Sequence, residues 1–283
     1  MPSVKGESMS DEPVLTGIAG RIGTITLNRP ARRNAVNTPM RDALHQQIRA
    51  MADNAEVSVI LLRGAGRSFC AGYDLSSDDP EMVALGNDAL RWHDFQQRGL
   101  EFLLAIWGAR KPVIAEVQGH ALGFGCALAM VCDLVIAAED AQFGEPEIRF
   151  QSISSSVVLP WVIGARRARE LLYMGDIVDA RTARDYGMVN RVVAASELPA
   201  AAAYARRLAR IGPEALSRAK LAINRGIEAG GFRNGLQGSL DIVSPLYTVE
   251  TEMVREFRKG VEKLGLRDAI KQRNAEFDEK PRT

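Results

Sequence analysis

Short apolar runs that break at glycine turns, with helix-length segments between them, constrain this chain more than any other feature. VSVILLRG (residues 57–64), KPVIAEVQG (111–119) and DLVIAAED (133–140) are too short for buried helices and read as buried strands. GRIGTITLNRP (20–30) adds a strand that stops at an Asn-Arg-Pro turn. A helix follows, with Thr38 as N-cap, Pro39 at its first position and Met40, Leu44, Ile48 and Met51 on one face, leaving His45 on a flank. Residues 80–108 are polar first and then amphipathic, which predicts a helix carrying Phe95, Leu100, Phe102, Leu103, Ile106 and Trp107. From Gly164 the period is helical, interrupted once by a strand, MVNRVV (188–193), after a helix stop at Gly187. Past Gly212 only helices are predicted, at about 213–228 and 238–264. Strands alternating with helices, then helices alone, predict an α/β core over residues 13–210 and an α-helical region over 211–283, behind a loose tail of residues 1–12.

The overall balance of residues excludes several classes of function. Lysine and arginine number 36 against 35 acids, a net charge of +1, so no global field draws the chain to nucleic acid or an anionic membrane. The first residues hold proline, glycine and acids where a signal peptide needs an apolar run. Residues 121–138 are the most apolar stretch, but Gly123, Gly125 and Asp133 interrupt it, so it reads as a buried helix and strand rather than a membrane span. Cys70, Cys126 and Cys132 are odd in number and lack CxxC spacing, the pattern of reduced, buried thiols in a cytoplasmic protein. His45, His93 and His120 stand at no ligand spacing to one another or to a cysteine, so no metal site is expected.

Familiar glycine motifs fail on inspection. GAGRSF (64–69) follows a strand, but Phe69 occupies the third glycine position of a dinucleotide fingerprint. No GxxxxGK[ST] and no GxSxG occurs, so neither a phosphate cradle nor a nucleophile elbow is present. Two glycine turns remain, AGYDL (71–75) and ALGFG (121–125), each just after a buried strand. A tight connection needing positive φ explains either one alone. Together they can bring two backbone N–H groups to one oxygen, the second at the start of a helix.

The ordered set NRPARRNAVN, GRSFCAGYDL, KPVIAEVQGHALGFGCALAMVCDLVIAAEDAQFGEPEI and DARTARDYGMVNRVV resembles the crotonase superfamily, the enoyl-CoA hydratases and isomerases, over roughly residues 14–225. The resemblance implies a crotonase-like spiral of β-β-α units with a C-terminal α-helical appendage, the appendage packing subunits into a homotrimer or a hexamer made of two trimers. It implies an acyl-CoA substrate, with coenzyme A part of that substrate and no separate cofactor. Its thioester oxygen would accept bonds from the N–H groups of Tyr73 and Phe124, set between Gly72 and Asp74 and between Gly123 and Gly125. Arg32, Arg33, Ala35, Ala71, Asp74 and Leu75 would form the coenzyme groove, with Lys259 or Lys263 as further phosphate contacts. Asp74 and Asp133 also read as structural carboxylates that bind nearby backbone.

Departures from the family pattern bear on the chemistry. Hydratases of the family carry one glutamate after the glycine turn, where this chain has Ala127, and a second in the FGxPE loop, here Glu147. Phe124 replaces the usual middle glycine, Ser155 stands where some members carry a further acid, and SISSSVVL (152–159) replaces a glycine-rich wall. Hydration wants one group to deprotonate water and another to protonate carbon, whereas one carboxylate suffices to move a proton from the α to the γ carbon. Glu147 as a lone acid-base, in apolar surroundings supplied by Phe143, Ile148 and Phe124, therefore points to double-bond isomerisation. Hydration with a non-standard acid or ordered water, and a CoA-binding protein without catalysis, stay open. Replacement acids could come from Asp78, Asp79, Glu81, Asp88, His93 or Asp94, but a solvated polar loop explains each of them better. Glu145, two residues before Glu147, need not face the same way.

Overall fold

The structure, a computed structural model, describes residues 12–75, 79–154 and 157–277. Its strands in chain order are β1 (Val14–Ala19), β2 (Ile22–Leu27), β3 (Val59–Gly64), β4 (Val113–Val117), β5 (His120–Leu122), β6 (Leu134–Ala138), β7 (Gln142–Gly144), β8 (Ile177–Asp179) and β9 (Arg191–Val193). The helices are α1 (Thr38–Asp53), α2 (Pro80–Leu85), α3 (Ala89–Trp107), α4 (Phe124–Met130), α5 (Leu159–Met174), α6 (Ala180–Tyr186), α7 (Ala200–Leu208), α8 (Pro213–Ala229), α9 (Phe232–Val243), α10 (Glu252–Leu264) and α11 (Leu266–Ala275).

A six-stranded sheet runs in the order β1-β2-β3-β4-β6-β9, parallel except for the β1–β2 hairpin. A second, three-stranded sheet runs β5-β7-β8, and Cys70 bridges to Ala121 at its edge. Successive turns of the chain therefore place one strand in the large sheet and a short one in the second layer: β4 then β5 then α4, β6 then β7 then α5. The α/β spiral with a helical C-terminal region expected from the sequence is present.

Continuous apolar strands follow from burial on both faces. Ile60, Leu62, Val113 and Ala115 enter the main core against α1, α3 and α4, while Val59, Leu61 and Ile114 enter a smaller core under Ala201 and Ala205 of α7. Each fully buried aliphatic side chain of this kind contributes about 1.5 to 3 kcal/mol. On α1, Met40, Leu44, Ile48 and Met51 are buried as the period predicts, with His45 half-buried on the flank.

Four local readings change. Asn37, not Thr38, caps α1: its side chain accepts from Met40 N–H at 3.2 Å, and Thr38 is the first helical residue. The single helix expected over 238–264 is broken by a 3-10 turn, Ser244–Thr248, because Pro245 removes a donor. Strand β8, three residues long, gave no periodic signal. Glu147 sits on a 3-10 turn, Pro146–Phe150, rather than in an open loop.

The helical region is tied to the sheet through one cation. Lys220 of α8 is buried and its Nζ donates to Ile106 O, Lys111 O and, at 2.7 Å, Asp133 Oδ2, which also accepts from Val113 N–H. Lys220→Met keeps the stem but strands these acceptors, and should lower stability in urea unfolding by about 2 kcal/mol.

Candidate active site

Three chain segments meet at one cavity of about 420 Å³. The first pair is zippered by backbone bonds: Ala71 N–H to Arg33 O, Val36 N–H to Gly72 O and Asp74 N–H to Val36 O, at 3.0, 2.8 and 2.9 Å. This bridge uses the groups on either side of Tyr73, so the Tyr73 N–H itself points away from Val36. Asn34, fully buried, holds the same loop by donating to Ala65 O and Ser68 O.

The second turn closes from the other side. Gly123 has φ 55 and precedes α4, so Phe124 is the first helical residue and its N–H has no intrahelical acceptor. Gly72, at φ 99, lies against this turn: a Cβ on it would stand 3.1 Å from Leu122 O and 3.7 Å from Phe124 N. Two free donors on adjacent turns are thus brought to one side of the cavity, the arrangement that can serve a developing oxyanion.

The third segment carries the carboxylate. Gly123 N–H donates to Gly144 O at 2.8 Å, which fixes the end of β7 beside the turn. A Cβ on Gly123 would overlap Glu147 Oε1, so the carboxyl group is packed directly on the glycine. Glu147 Oε2 is buried without a hydrogen-bond partner. Burial pushes the Glu147 carboxyl up from its ordinary 4.5 to about 7, only partly offset by its own backbone N–H. Among the described residues lining the cavity it is the one acid.

Aromatic rings complete the walls. Phe124 is 4% exposed and its ring stacks on Tyr73 at 4.3 Å between centroids, with Phe95 and Phe102 behind. Gly99 of α3 makes this possible, because a side chain there would strike the Tyr73 hydroxyl. Phe150 and Pro146 lie on the Glu147 side, whereas Phe143, named for that role from sequence, is turned fully into the core. Sequence reading also missed Trp92, Gln96 and Tyr247. The rings of Trp92 and Tyr247 stack at 4.4 Å, and the Tyr247 hydroxyl donates to Ile153 O at 2.6 Å. Tyr247, Ile270 and Asn274 show that the C-terminal helical region folds over the cavity. His120, set aside as a metal ligand, also lines it, with Nδ1 3.0 Å from Ser68 Oγ. Burial and then the nearby Arg33 cation hold the imidazole below its ordinary pKa.

The structure separates the other nominated residues. Arg33, Ala71, Leu75 and Gly123 line the cavity. Arg32 is exposed, Ala35 gives its carbonyl to Arg29, and Asp74 is buried in an ion pair with Arg29 at 2.8 Å; none of these lines it, and Asp74 is the structural carboxylate. Gly125 is needed for close packing on Cys70 O, and Ala127 is wholly buried in α4. Lys259 pairs with Glu256 and, like Lys263, lies at a separate groove. Ser155 and Asp78 lie outside the described residues. The remaining candidates of the variable segment are engaged elsewhere: Asp79 binds the N–H groups of Thr38 and Glu81, Glu81 pairs with Arg41 and Arg98, Asp88 caps α3, and His93 faces Asp241 on one side and the exposed Asp94 on the other. The three cysteines are free and buried. No described helix is long and apolar enough to cross a membrane.

Comparison with known proteins gives a consistent result. Residues 17–263 match the family model for enoyl-CoA hydratase/isomerase. A probable enoyl-CoA hydratase of Rhizobium meliloti is 35% identical, over 95% of this chain and 99% of that protein. The crotonyl-CoA hydratase of Syntrophomonas wolfei is 32% identical over 78% of this chain and 84% of its own length. Among solved structures, an enoyl-CoA hydratase/isomerase from Xanthobacter autotrophicus superposes with a TM-score of 0.88 at 34% identity, covering 93% of this chain and 98% of that one.

The raised pKa of Glu147 carries a stability consequence. Between pH 4.5 and about 7 the folded state holds on Glu147 a proton that the unfolded state has lost, so the contribution of Glu147 to stability falls as pH rises through this window and is constant above it. Glu147→Gln removes that loss. Its melting temperature should exceed the parent's at pH 8, with a gain on the order of 3 kcal/mol, and the gap should close towards pH 4.5.

Proposed function

The chain belongs to the enoyl-CoA hydratase/isomerase family and is an enzyme of that family, and from that premise we propose that it moves the double bond of an enoyl-CoA through an enolate. The thioester oxygen lies between the Tyr73 and Phe124 N–H groups. Ionised Glu147 removes the proton from C2 of a 3-enoyl thioester, the two donors hold the charge on oxygen, and the same carboxyl returns a proton at C4. Each donor of this kind is worth about 3 kcal/mol in the transition state because it is already aimed and has no water to shed. A base whose pKa lies near 7 is partly ionised at neutral pH yet still a competent proton donor.

The observation that carries this reading is that Glu147 is the single acid lining the cavity among the described residues, with Ala127 withdrawn into the core. Coenzyme A enters as part of the substrate, and no separate cofactor is required. Arg33 at the cavity offers a cation for its phosphates. A second reading, hydration of a 2-enoyl-CoA, is favoured by the hydratase names of the relatives and would use an ordered water. Assembly as a trimer or a pair of trimers belongs to the same proposal. It is supported by exposed apolar residues on the helical region, Ile223 and Leu221 of α8 and Ile242 of α9, and light scattering on the purified protein tests it.

Incubation with a 3-enoyl-CoA and a 2-enoyl-CoA in deuterated buffer separates the readings. Bond shift with α-deuterium uptake is expected, rising with pH through about 7 as Glu147 ionises and falling at least about 100-fold in Glu147→Gln. Hydration as the dominant reaction would establish the second reading. Neither reaction, with CoA still bound, would overturn both.

A further inference from the structure

The enolate mechanism leaves unused a buried acid two residues from Glu147. Glu145 is 2% exposed, and neither of its carboxyl oxygens has a hydrogen-bond partner. Gly144, the residue before it, is bonded to Gly123 N–H, so Glu145 begins beside the first turn of α4, near enough to the Cys126 thiol to act on it electrostatically. Glu147 Oε2 is likewise unpartnered, so three orphan carboxyl oxygens sit on either side of Pro146.

Among the described residues nothing charged compensates them. Arg149, on the same 3-10 turn, is committed to Asp176 at 2.7 Å and lies over the Phe277 ring. The groups that face the pair from other elements are the Cys126 thiol of α4 and the Tyr247 hydroxyl of the Ser244–Thr248 turn, and burial pushes both above their ordinary values, so both are neutral. Two ionised carboxylates cannot share such a site, since each unpaired buried charge costs several kcal/mol and like charges add to it. Burial and then the Glu147 charge push Glu145 well up, and because Glu147 lines the cavity while Glu145 is enclosed away from it, Glu145 is the member assigned the proton. A protonated Glu145 has a proton to donate, and Glu147 Oε2, two residues on, is a buried acceptor without a donor.

We propose that Glu145 is a neutral carboxylic acid paired with Glu147, and that the proton Glu147 takes from the substrate exchanges with the proton Glu145 holds. Glu145 does not line the cavity and acts through Glu147, so it is a positioning residue. The exchange is balanced: one proton passes to Glu147 from carbon, the two carboxyls then swap protons with one passing in each direction, and one proton leaves Glu147 for carbon, so Glu145 ends neutral and Glu147 ionised as they began. The inference rests on Glu147 being the proton-carrying group of the proposed function.

Two measurements test it. Infrared spectra at pH 8.5, above the Glu147 transition, should retain one buried neutral-carboxyl band that is absent in Glu145→Gln and displaced in frequency in Glu147→Gln. A parent protein without the band, or a band indifferent to either substitution, overturns the pairing. With 3-enoyl-CoA deuterated at C2 in ordinary water, the fraction of deuterium delivered to C4 should rise up to about twofold in Glu145→Gln, whose amide does not dilute the label. An unchanged fraction overturns the exchange. This fraction is independent of overall rate, and the infrared band needs no substrate. Absence of bond shift in the parent would therefore sink the isomerase reading, while the band alone still decides for or against the carboxyl pair.

Discussion

One backbone hydrogen bond, from Gly123 N–H to Gly144 O, joins the parts on which the site depends. On one side it fixes a turn whose φ of 55 only glycine adopts freely, and which delivers the Phe124 N–H. On the other it fixes the end of β7, two residues before Pro146 and three before Glu147. Proline then limits how far the carboxylate can wander, and the missing Cβ of Gly123 lets that carboxylate lie on the turn itself. The Phe124 N–H and the Glu147 carboxyl are thereby held relative to one another by main chain rather than by long side chains, which keeps the geometry stiff without an ion pair to the carboxyl.

The same arrangement explains which parts were legible in the sequence. Strands β2, β3, β4 and β6 carry five or six residues of apolar character, enough for a local signal. Strands β5, β7 and β8 have three each, and their pairing is decided by the glycine turns and the second layer, not by their own composition. The Tyr73, Phe124 and Glu147 positions were nominated through the family resemblance that the turn and loop motifs carry, and the structure brings all three to one cavity. Whether Glu145 is buried, whether Asp74 faces Arg29, and whether Tyr247 reaches a cavity formed more than a hundred residues earlier are matters of tertiary approach that no local pattern encodes.

Phe124 shows how a departure from a motif is absorbed elsewhere. A ring where the family pattern has glycine needs space, and the structure provides it by removing a side chain at Gly99 and stacking Tyr73 against the new ring. The stack is worth about 1 kcal/mol beyond its buried area. It also makes the walls beside the two N–H groups flat and apolar, which lowers the local polarity at the point where charge would develop on oxygen.

That low polarity has an opposite effect on the two kinds of group in the site. Fixed N–H dipoles gain strength when water is excluded, while an ionisable carboxyl loses its preference for the charged form. Glu147, lining the cavity, sits where the two tendencies balance near neutral pH; Glu145, wholly enclosed, lies far on the neutral side. The fold tolerates this strain because the surrounding sheet and helices bury a large continuous core, so the free energy lost at two carboxyls is a small part of what the strands and α1, α3 and α4 contribute. A site built instead on a surface loop would relax by hydrating both acids, and the difference in their proton affinities, on which a proton carrier beside a proton holder depends, would disappear.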